Sequence, residues 1–167
     1  HVNLGSQVAI KFLDPKLAAS PSFVARFERE ARAAASIQSP HVVQVHDFGV
    51  DEGTPYIAME LLRGEDLRTR IKRMGRLSLS TTAGLLVQVG KGLRRAHEAG
   101  IVHRDIKPGN VFLARVDDDE ILTVLDFGIV HIKSEARLTG PGEIFGTPEY
   151  MAPEQSRGEP CGPATDL

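Results

Sequence analysis

The stretch His-Arg-Asp-Ile-Lys-Pro-Gly-Asn at positions 103–110 decides how this chain is interpreted. It sets a carboxylate, an amine and a carboxamide at fixed spacing, and its proline and glycine prevent a regular helix. A short apolar run lies on either side of it. The pattern predicts a polar loop between two short buried strands, which would aim Asp105, Lys107 and Asn110 into one cleft.

Two charged side chains occur where apolar residues dominate. Lys11 interrupts an apolar strand predicted over 8–13, and Glu30 falls within the apolar stripe of a helix predicted over 23–37. A carboxylate in such a stripe requires a cationic partner. The alternative is a glutamate at the edge of the stripe that extends into solvent.

Other elements follow from apolar patterns and turn residues. Strands are predicted over 42–48, 56–61 and 121–125, the last leading to Asp126. A long helix is predicted from Ser78 to Gly100, and one of its faces carries Leu86, Val89, Leu93, Ala96 and His97. The acidic run at 117–120 lacks the alternating ligand spacing and the glycine of a calcium loop, so we expect an acidic turn.

Composition limits the class of protein. The 167 residues are 41% hydrophobic and 25% charged, which is typical of a globular domain. The net charge of -2 gives no reason to expect nucleic-acid or membrane-surface binding. A single cysteine excludes an internal disulfide and fits a reducing compartment, so a cytoplasmic location is predicted. No apolar run reaches the roughly 18 residues that a membrane span needs.

Several motifs together resemble one family. In chain order they are V-A-I-K at 8–11, M-E-L-L at 59–62, H-R-D-x-K-P-x-N at 103–110, D-F-G at 126–128 and G-T-P-E-Y-M-A-P-E at 146–154. The chain resembles eukaryotic-like serine/threonine protein kinases of bacteria. The resemblance implies an α+β, two-lobed protein-kinase-like fold truncated at both ends. Its small-lobe part would be 1–59, its hinge 60–66, and the start of its large lobe 67–167.

The resemblance implies a role for each matched residue. Asp105 would accept or orient the proton of the substrate hydroxyl, and Lys107 would neutralise the γ-phosphate of ATP. Lys11 would hold the α- and β-phosphates while paired with Glu30. Asn110 and Asp126 would bind Mg²⁺, and Asp166 would brace the catalytic loop.

The resemblance also implies an adenosine site. Ala9 would lie over adenine, Met59 would guard the pocket behind it, and the backbones of Glu60 and Leu62 would bond its edge. Phe112 is implied in the same ATP site. Glu65 would contact ribose, with Asp66 as the rival.

The loop between D-F-G and A-P-E would act as a switch. Another kinase molecule would phosphorylate Thr139, with Ser134 as the alternative, and the phosphate would pair with Arg104. His131 either joins that phosphate site or is a surface strand residue. Thr147 would bond the catalytic Asp and Lys.

The function implied is transfer of the γ-phosphate of ATP to serine or threonine of a protein substrate. The alternative is an inactive kinase remnant or a nucleotide-binding module, because the glycine-rich loop and the distal large-lobe helices are missing from the sequence. A small-molecule kinase would share the Asp and Asn, but the segment at 146–154 argues against it.

Overall fold

The computed structural model describes residues 7–127 and 148–167. The elements of this part are β1 (Val8–Phe12), α1 (Pro15–Ala18), α2 (Pro21–Ala35), β2 (Val45–Asp51), β3 (Thr54–Glu60), β4 (Gly64–Asp66), α3 (Leu67–Met74), α4 (Leu79–Glu98), β5 (Val111–Val116), β6 (Asp119–Val124) and α5 (Pro153–Ser156). Short 3-10 helices cover Pro108–Asn110, Pro148–Tyr150 and Pro163–Asp166. Among the helices of these two stretches, none combines the length and apolarity that a membrane crossing requires.

The first sheet is antiparallel, in the order β1-β3-β2, and α2 packs on it. The helix starts two residues earlier than the apolar stripe alone predicts. Ser20 Oγ accepts the Phe23 N–H at 3.4 Å, and Pro21 occupies the first turn, where a missing N–H costs nothing. The buried face of α2 carries Phe23, Phe27, Ala31 and Ala34.

The second sheet, β4-β5-β6, is also antiparallel and is covered by α4. Ser78 caps α4 by accepting the Thr81 N–H at 3.1 Å, as its position in the sequence predicts. Leu93 and Ala96 are buried on the sheet, and Val89 packs against the same cluster. Leu86 is 63% exposed, so its place on the apolar face was wrong: it lies at the edge of that face, and its neighbour Leu85 packs against the cluster instead.

The residues that follow α2 join the two sheets. Val43 N–H donates to Val124 O and Val124 N–H donates to His41 O, both at 3.0 Å. A Cβ at Gly92 would lie 2.6 Å from His41 O, so α4 approaches this crossing closely only because it has glycine there. The His41 ring bonds Leu122 O through Nδ1 at 2.9 Å, so this histidine has a structural role.

Candidate active site

The loop at 103–110 brings its three predicted polar side chains together. Lys107 Nζ lies 3.0 Å and 2.7 Å from the two carboxylate oxygens of Asp105. Asn110 Nδ2 donates to the backbone oxygen of Asp105 at 2.8 Å and to its Oδ2 at 2.9 Å. The Asp105 side chain is 13% exposed. The loop therefore presents one carboxylate whose orientation is fixed by an amine and an amide.

His103 supports this loop from below. It is fully buried, its Nε2 donates to Leu125 O at 2.7 Å, and its Nδ1 accepts the Asp105 N–H at 3.1 Å. These two bonds require the neutral tautomer with the proton on Nε2. Burial lowers the pKa of His103, in agreement with a neutral ring. Phe127 packs edge-to-face on it at a centroid distance of 4.8 Å, so the two residues are packing partners.

Asp166 braces the loop from the far end of the chain. Its Oδ2 accepts the His103 N–H at 2.9 Å and contacts His97 Nε2 at 2.7 Å, while its Oδ1 accepts the Arg104 N–H at 2.7 Å. Arg104 has a φ of 65°, a left-handed conformation that costs a non-glycine residue about 1–3 kcal/mol. The Gln155 side chain donates to Arg104 O at 2.8 Å. The strained backbone is thus held on both sides, and the predicted role of Asp166 is confirmed.

Lys11 and Glu30 do not form the pair that the family resemblance implies. Lys11 Nζ lies 2.7 Å from Asp126 Oδ1, and Glu30 Oε1 accepts from Arg26 Nε at 3.0 Å. Arg26 lies four residues before Glu30 on the same helix face, so it reaches the carboxylate without any movement of α2. Asp126, two residues after the end of β6, offers Lys11 the opposite charge. Glu30 therefore has a cationic partner, but a different one from that predicted.

Asn110 and Asp126 offer oxygen atoms suited to a hard cation. The amide nitrogen of Asn110 donates to Asp105. Within the described residues, nothing bonds its amide oxygen. Its backbone oxygen accepts the N–H of Leu125, the residue before Asp126, at 2.9 Å, which brings the two candidate ligands near each other in space. Carboxylate and amide oxygens are the ligands that Mg²⁺ takes, so this donor set fits the predicted ion. No group of three or more His, Cys, Asp or Glu side chains forms a metal site in the part of the chain that the structure describes.

The small sheet aligns the residues assigned to the nucleotide. Ala9 lies opposite Met59 in the β1–β3 ladder, and Lys11 lies two positions along the same strand. Because side chains alternate along a strand, these three share one face of the sheet. Glu60 N–H donates to Gln44 O at 3.0 Å. A hydrogen bond between the Glu60 backbone and a ligand would therefore use the carbonyl oxygen. Leu62 is half-buried in the connection between β3 and β4.

The two rival ribose residues have different surroundings. Arg73 and Arg70 hold the Glu65 carboxylate, with Arg73 Nη2 at 2.6 Å, and these hydrogen bonds lower the pKa of Glu65. Asp66 lies opposite Phe112 in the β4–β5 ladder and caps α3 by accepting the Thr69 N–H at 2.9 Å. Asp66 therefore shares a face with Phe112, whereas Glu65 is committed to the arginines of α3.

Several predicted residues lie outside the described part of the chain. These are Ser134 and the residues assigned to the switch and to the substrate segment, namely His131, Thr139 and Thr147. Their assignments remain predictions.

Sequence reasoning missed two residues that support the site. Arg26 was not assigned as the partner of Glu30, although its i,i+4 spacing signals such a pair. Gln155 was not singled out, and nothing in its immediate sequence identifies a side chain that bonds a loop 51 positions away. Its neighbour Glu154 accepts from Thr165 Oγ1 at 2.7 Å, which lowers the pKa of Glu154 and links α5 to the segment that carries Asp166.

Comparison with known proteins gives a single family. The model described as protein kinase domain matches residues 1–167. The serine/threonine-protein kinase PknA of Mycobacterium tuberculosis is 41% identical over 169 residues, covering 98% of this chain and 38% of its own length. A probable serine/threonine-protein kinase of Clostridium acetobutylicum is 38% identical over 164 residues, covering 98% of this chain and 24% of its own length.

Comparison with solved structures gives the same family. The crystal structure of the M. tuberculosis PknI kinase domain superposes with a TM-score of 0.80 at 30% identity, covering 99% of this chain and 61% of that chain. The two sheets and their helices are therefore the α+β, two-lobed kinase fold, as predicted. The chain spans less than two thirds of the length of each of these relatives.

Proposed function

We propose that this chain, which belongs to the protein kinase family, transfers the γ-phosphate of ATP to serine or threonine side chains of a protein substrate. The observation that carries the proposal is the Asp105 carboxylate, oriented by Lys107 and Asn110 on a braced loop. The lysine two places after the aspartate is the serine/threonine form of this loop. The serine/threonine kinases similar to this chain support the same acceptor class.

In this mechanism each polar residue of the loop acts on one charge or proton. Asp105 accepts a hydrogen bond from the substrate hydroxyl and takes up its proton as the oxygen attacks. Lys107 faces the same carboxylate and balances the negative charge that gathers on the transferred phosphoryl group. Because both groups are fixed before substrate arrives, little reorganisation is needed during transfer.

The nucleotide would lie between the two sheets. Lys11 would leave Asp126 to contact the α- and β-phosphates, and Asn110 and Asp126 would hold Mg²⁺ through their oxygens. Bound there, Mg²⁺ would neutralise part of the negative charge of the phosphates. Adenine would lie against Ala9, Met59, the Glu60 carbonyl, Leu62 and Phe112. For ribose we favour Asp66, since two arginines already occupy Glu65.

Three further predictions belong to this proposal. The lobes divide at 59, with the hinge at 60–66. Another kinase molecule phosphorylates Thr139, and the phosphate pairs with Arg104. The protein acts in the cytoplasm, where ATP is available.

The test uses a kinase domain lengthened at both ends to the extent of its relatives, referred to below as the extended kinase domain. It is incubated with Mg²⁺, ATP and peptides that are identical except for Ser, Thr or Tyr as the acceptor. Mass spectrometry should find phosphate on the Ser and Thr peptides and far less on the Tyr peptide. Transfer to none of them, with ATP still bound, would support the inactive nucleotide-binding module instead.

A further inference from the structure

A pocket rich in arginine lies at the end of the second sheet away from the catalytic loop. It has a volume of about 690 Å³ and is lined by Arg63, Gly64, Glu65, Arg73, Arg115 and Asp117. These residues come from the start of β4, from α3, and from the end of β5 with its turn into β6. None of them belongs to the catalytic loop or to the metal ligands proposed above. We call this the arginine pocket.

The charges of the arginine pocket are not balanced internally. Glu65 is already bound by Arg73 and by Arg70, which lies behind it. Arg63 and Arg115 are exposed, and neither takes part in an ion pair within the described residues. Two guanidinium groups therefore remain available to an anion at the wall of this pocket.

The backbone sets these two arginines side by side. Arg115 N–H donates to Arg63 O at 2.7 Å, which continues the β4–β5 ladder by one position. Like charges on directly opposite residues of a ladder are destabilising, and Glu120, which lies opposite Arg115 on β6, is bound by Arg70. Gly64, which follows Arg63, has a φ of 144°, and a Cβ there would lie 2.0 Å from Leu113 O, so the close approach of β4 to β5 at this point requires glycine. The backbone pairing therefore places the two arginines on adjacent strands without the help of a ligand.

We propose that the arginine pocket docks an acidic segment, rich in Asp or Glu, of the protein substrate. The guanidinium fork binds carboxylates in a bidentate manner, so two adjacent forks suit two or more acidic side chains. The inference rests on the proposed function, because it concerns how that same substrate is selected. Asp117 also lines the pocket, and no described cation neutralises it. Its negative charge would repel such a ligand.

The position of the pocket sets a minimum spacing within the substrate. Arg115 is five residues along β5 from Asn110, which corresponds to roughly 17 Å at about 3.4 Å per residue. An extended peptide needs at least about five residues to cover that distance. The acidic segment should therefore lie more than about five residues from the acceptor serine or threonine.

The experiment compares two peptide substrates of the extended kinase domain. Both carry one acceptor serine, and about eight residues away one has four glutamates where the other has four glutamines. The acidic peptide should show the lower KM at equal kcat. The double variant Arg63→Ser with Arg115→Ser should raise its KM about 2- to 10-fold, as expected for two exposed ion pairs. The glutamine peptide should be unaffected.

Two single variants and a change in salt concentration extend this test. Arg76→Ser, an exposed arginine outside the pocket, is the matched control and should leave both KM values unchanged. Asp117→Asn should lower KM for the acidic peptide. The preference for that peptide should weaken from about 50 mM to about 500 mM salt, as expected for exposed charges.

Failure of the docking site is distinguishable from failure of the enzyme. Equal KM values for the two peptides in the parent, or an equal rise for both in the double variant, would overturn the docking proposal while transfer continues. Loss of binding to phosphatidylserine vesicles in the double variant, with no change in peptide discrimination, would point to a membrane surface instead and also overturn it. Transfer to neither peptide by any form would count against both proposals.

Discussion

Replacing Asp166 by alanine should loosen the catalytic loop and destabilise the whole domain. The carboxylate accepts the backbone N–H groups of His103 and Arg104 at 2.9 Å and 2.7 Å, and it contacts His97 Nε2 at 2.7 Å. Asp166 is 7% exposed, so water cannot easily take the place of the lost carboxylate. The variant would leave buried donors without an acceptor.

The magnitude follows from those bonds. A hydrogen bond to a charged group contributes about 1.5–3 kcal/mol, so losing the two backbone bonds should cost about 3–6 kcal/mol. That is a large share of the roughly 5–15 kcal/mol by which domains are stable. Arg104 would also lose one of the contacts that hold its φ of 65°. We therefore expect kcat to fall even where the variant is still folded.

Urea unfolding of the extended kinase domain, followed by circular dichroism, measures this loss. Asp166→Asn retains one oxygen acceptor but turns an NH₂ group toward a donor, so it should lose less stability than Asp166→Ala. Asp118→Ala, on the exposed turn between β5 and β6, is the control and should stay within about 0.5 kcal/mol of the parent. A loss below about 1 kcal/mol in Asp166→Ala would refute the brace.

Three other predictions concern packing, pH and the choice of partner. In urea unfolding, Gly92→Ala should cost about 1–3 kcal/mol because the new methyl meets a backbone oxygen, whereas Gly90→Ala, with open space, should gain about 0.5–1 kcal/mol; equal effects would disprove the close approach. Burial lowers the pKa of His103, so its contribution to stability should be complete above about pH 6.5 and be lost as pH falls toward the lower folded value. The stability difference between parent and His103→Gln should therefore shrink between about pH 7.5 and about pH 5, and a constant difference would contradict the assignment of a neutral ring. Arg26→Ala should release Glu30 and tighten ATP binding of the dephosphorylated kinase by about 2- to 5-fold, an effect that must vanish in a Glu30→Gln background to count as support.

The catalytic loop could be predicted because its polar residues lie in one short segment. The role of Asp166 could be predicted because its position matches a family pattern. Asp105, Lys107 and Asn110 lie within one short segment, so their convergence needs no knowledge of distant contacts. Asp166 was assigned from the resemblance, and the structure supplies the bonds that explain its role.

The partner of Glu30 and the position of β4 could not be predicted, because the sequence does not show which of several competing contacts is the more stable. Glu30 has two available cations, and the spacing alone does not say that Arg26 rather than Lys11 takes it. Strand β4 is three polar residues long, Gly64–Asp66, and has no apolar alternation to indicate it. Its pairing with β5 arises from tertiary contact, and that pairing separates the environments of the two ribose rivals.

Single-turnover phosphate transfer by Asp105→Asn tests the central claim most directly. With ATP prebound to the extended kinase domain and a serine peptide added, the variant should transfer phosphate about 10²- to 10⁴-fold more slowly than the parent. Its ATP dissociation constant should be nearly unchanged, since Asp105 contacts Lys107 and Asn110 rather than the proposed adenine residues. A transfer rate within a few-fold of the parent, at equal ATP occupancy, would contradict the assignment of this carboxylate as the group that receives the proton.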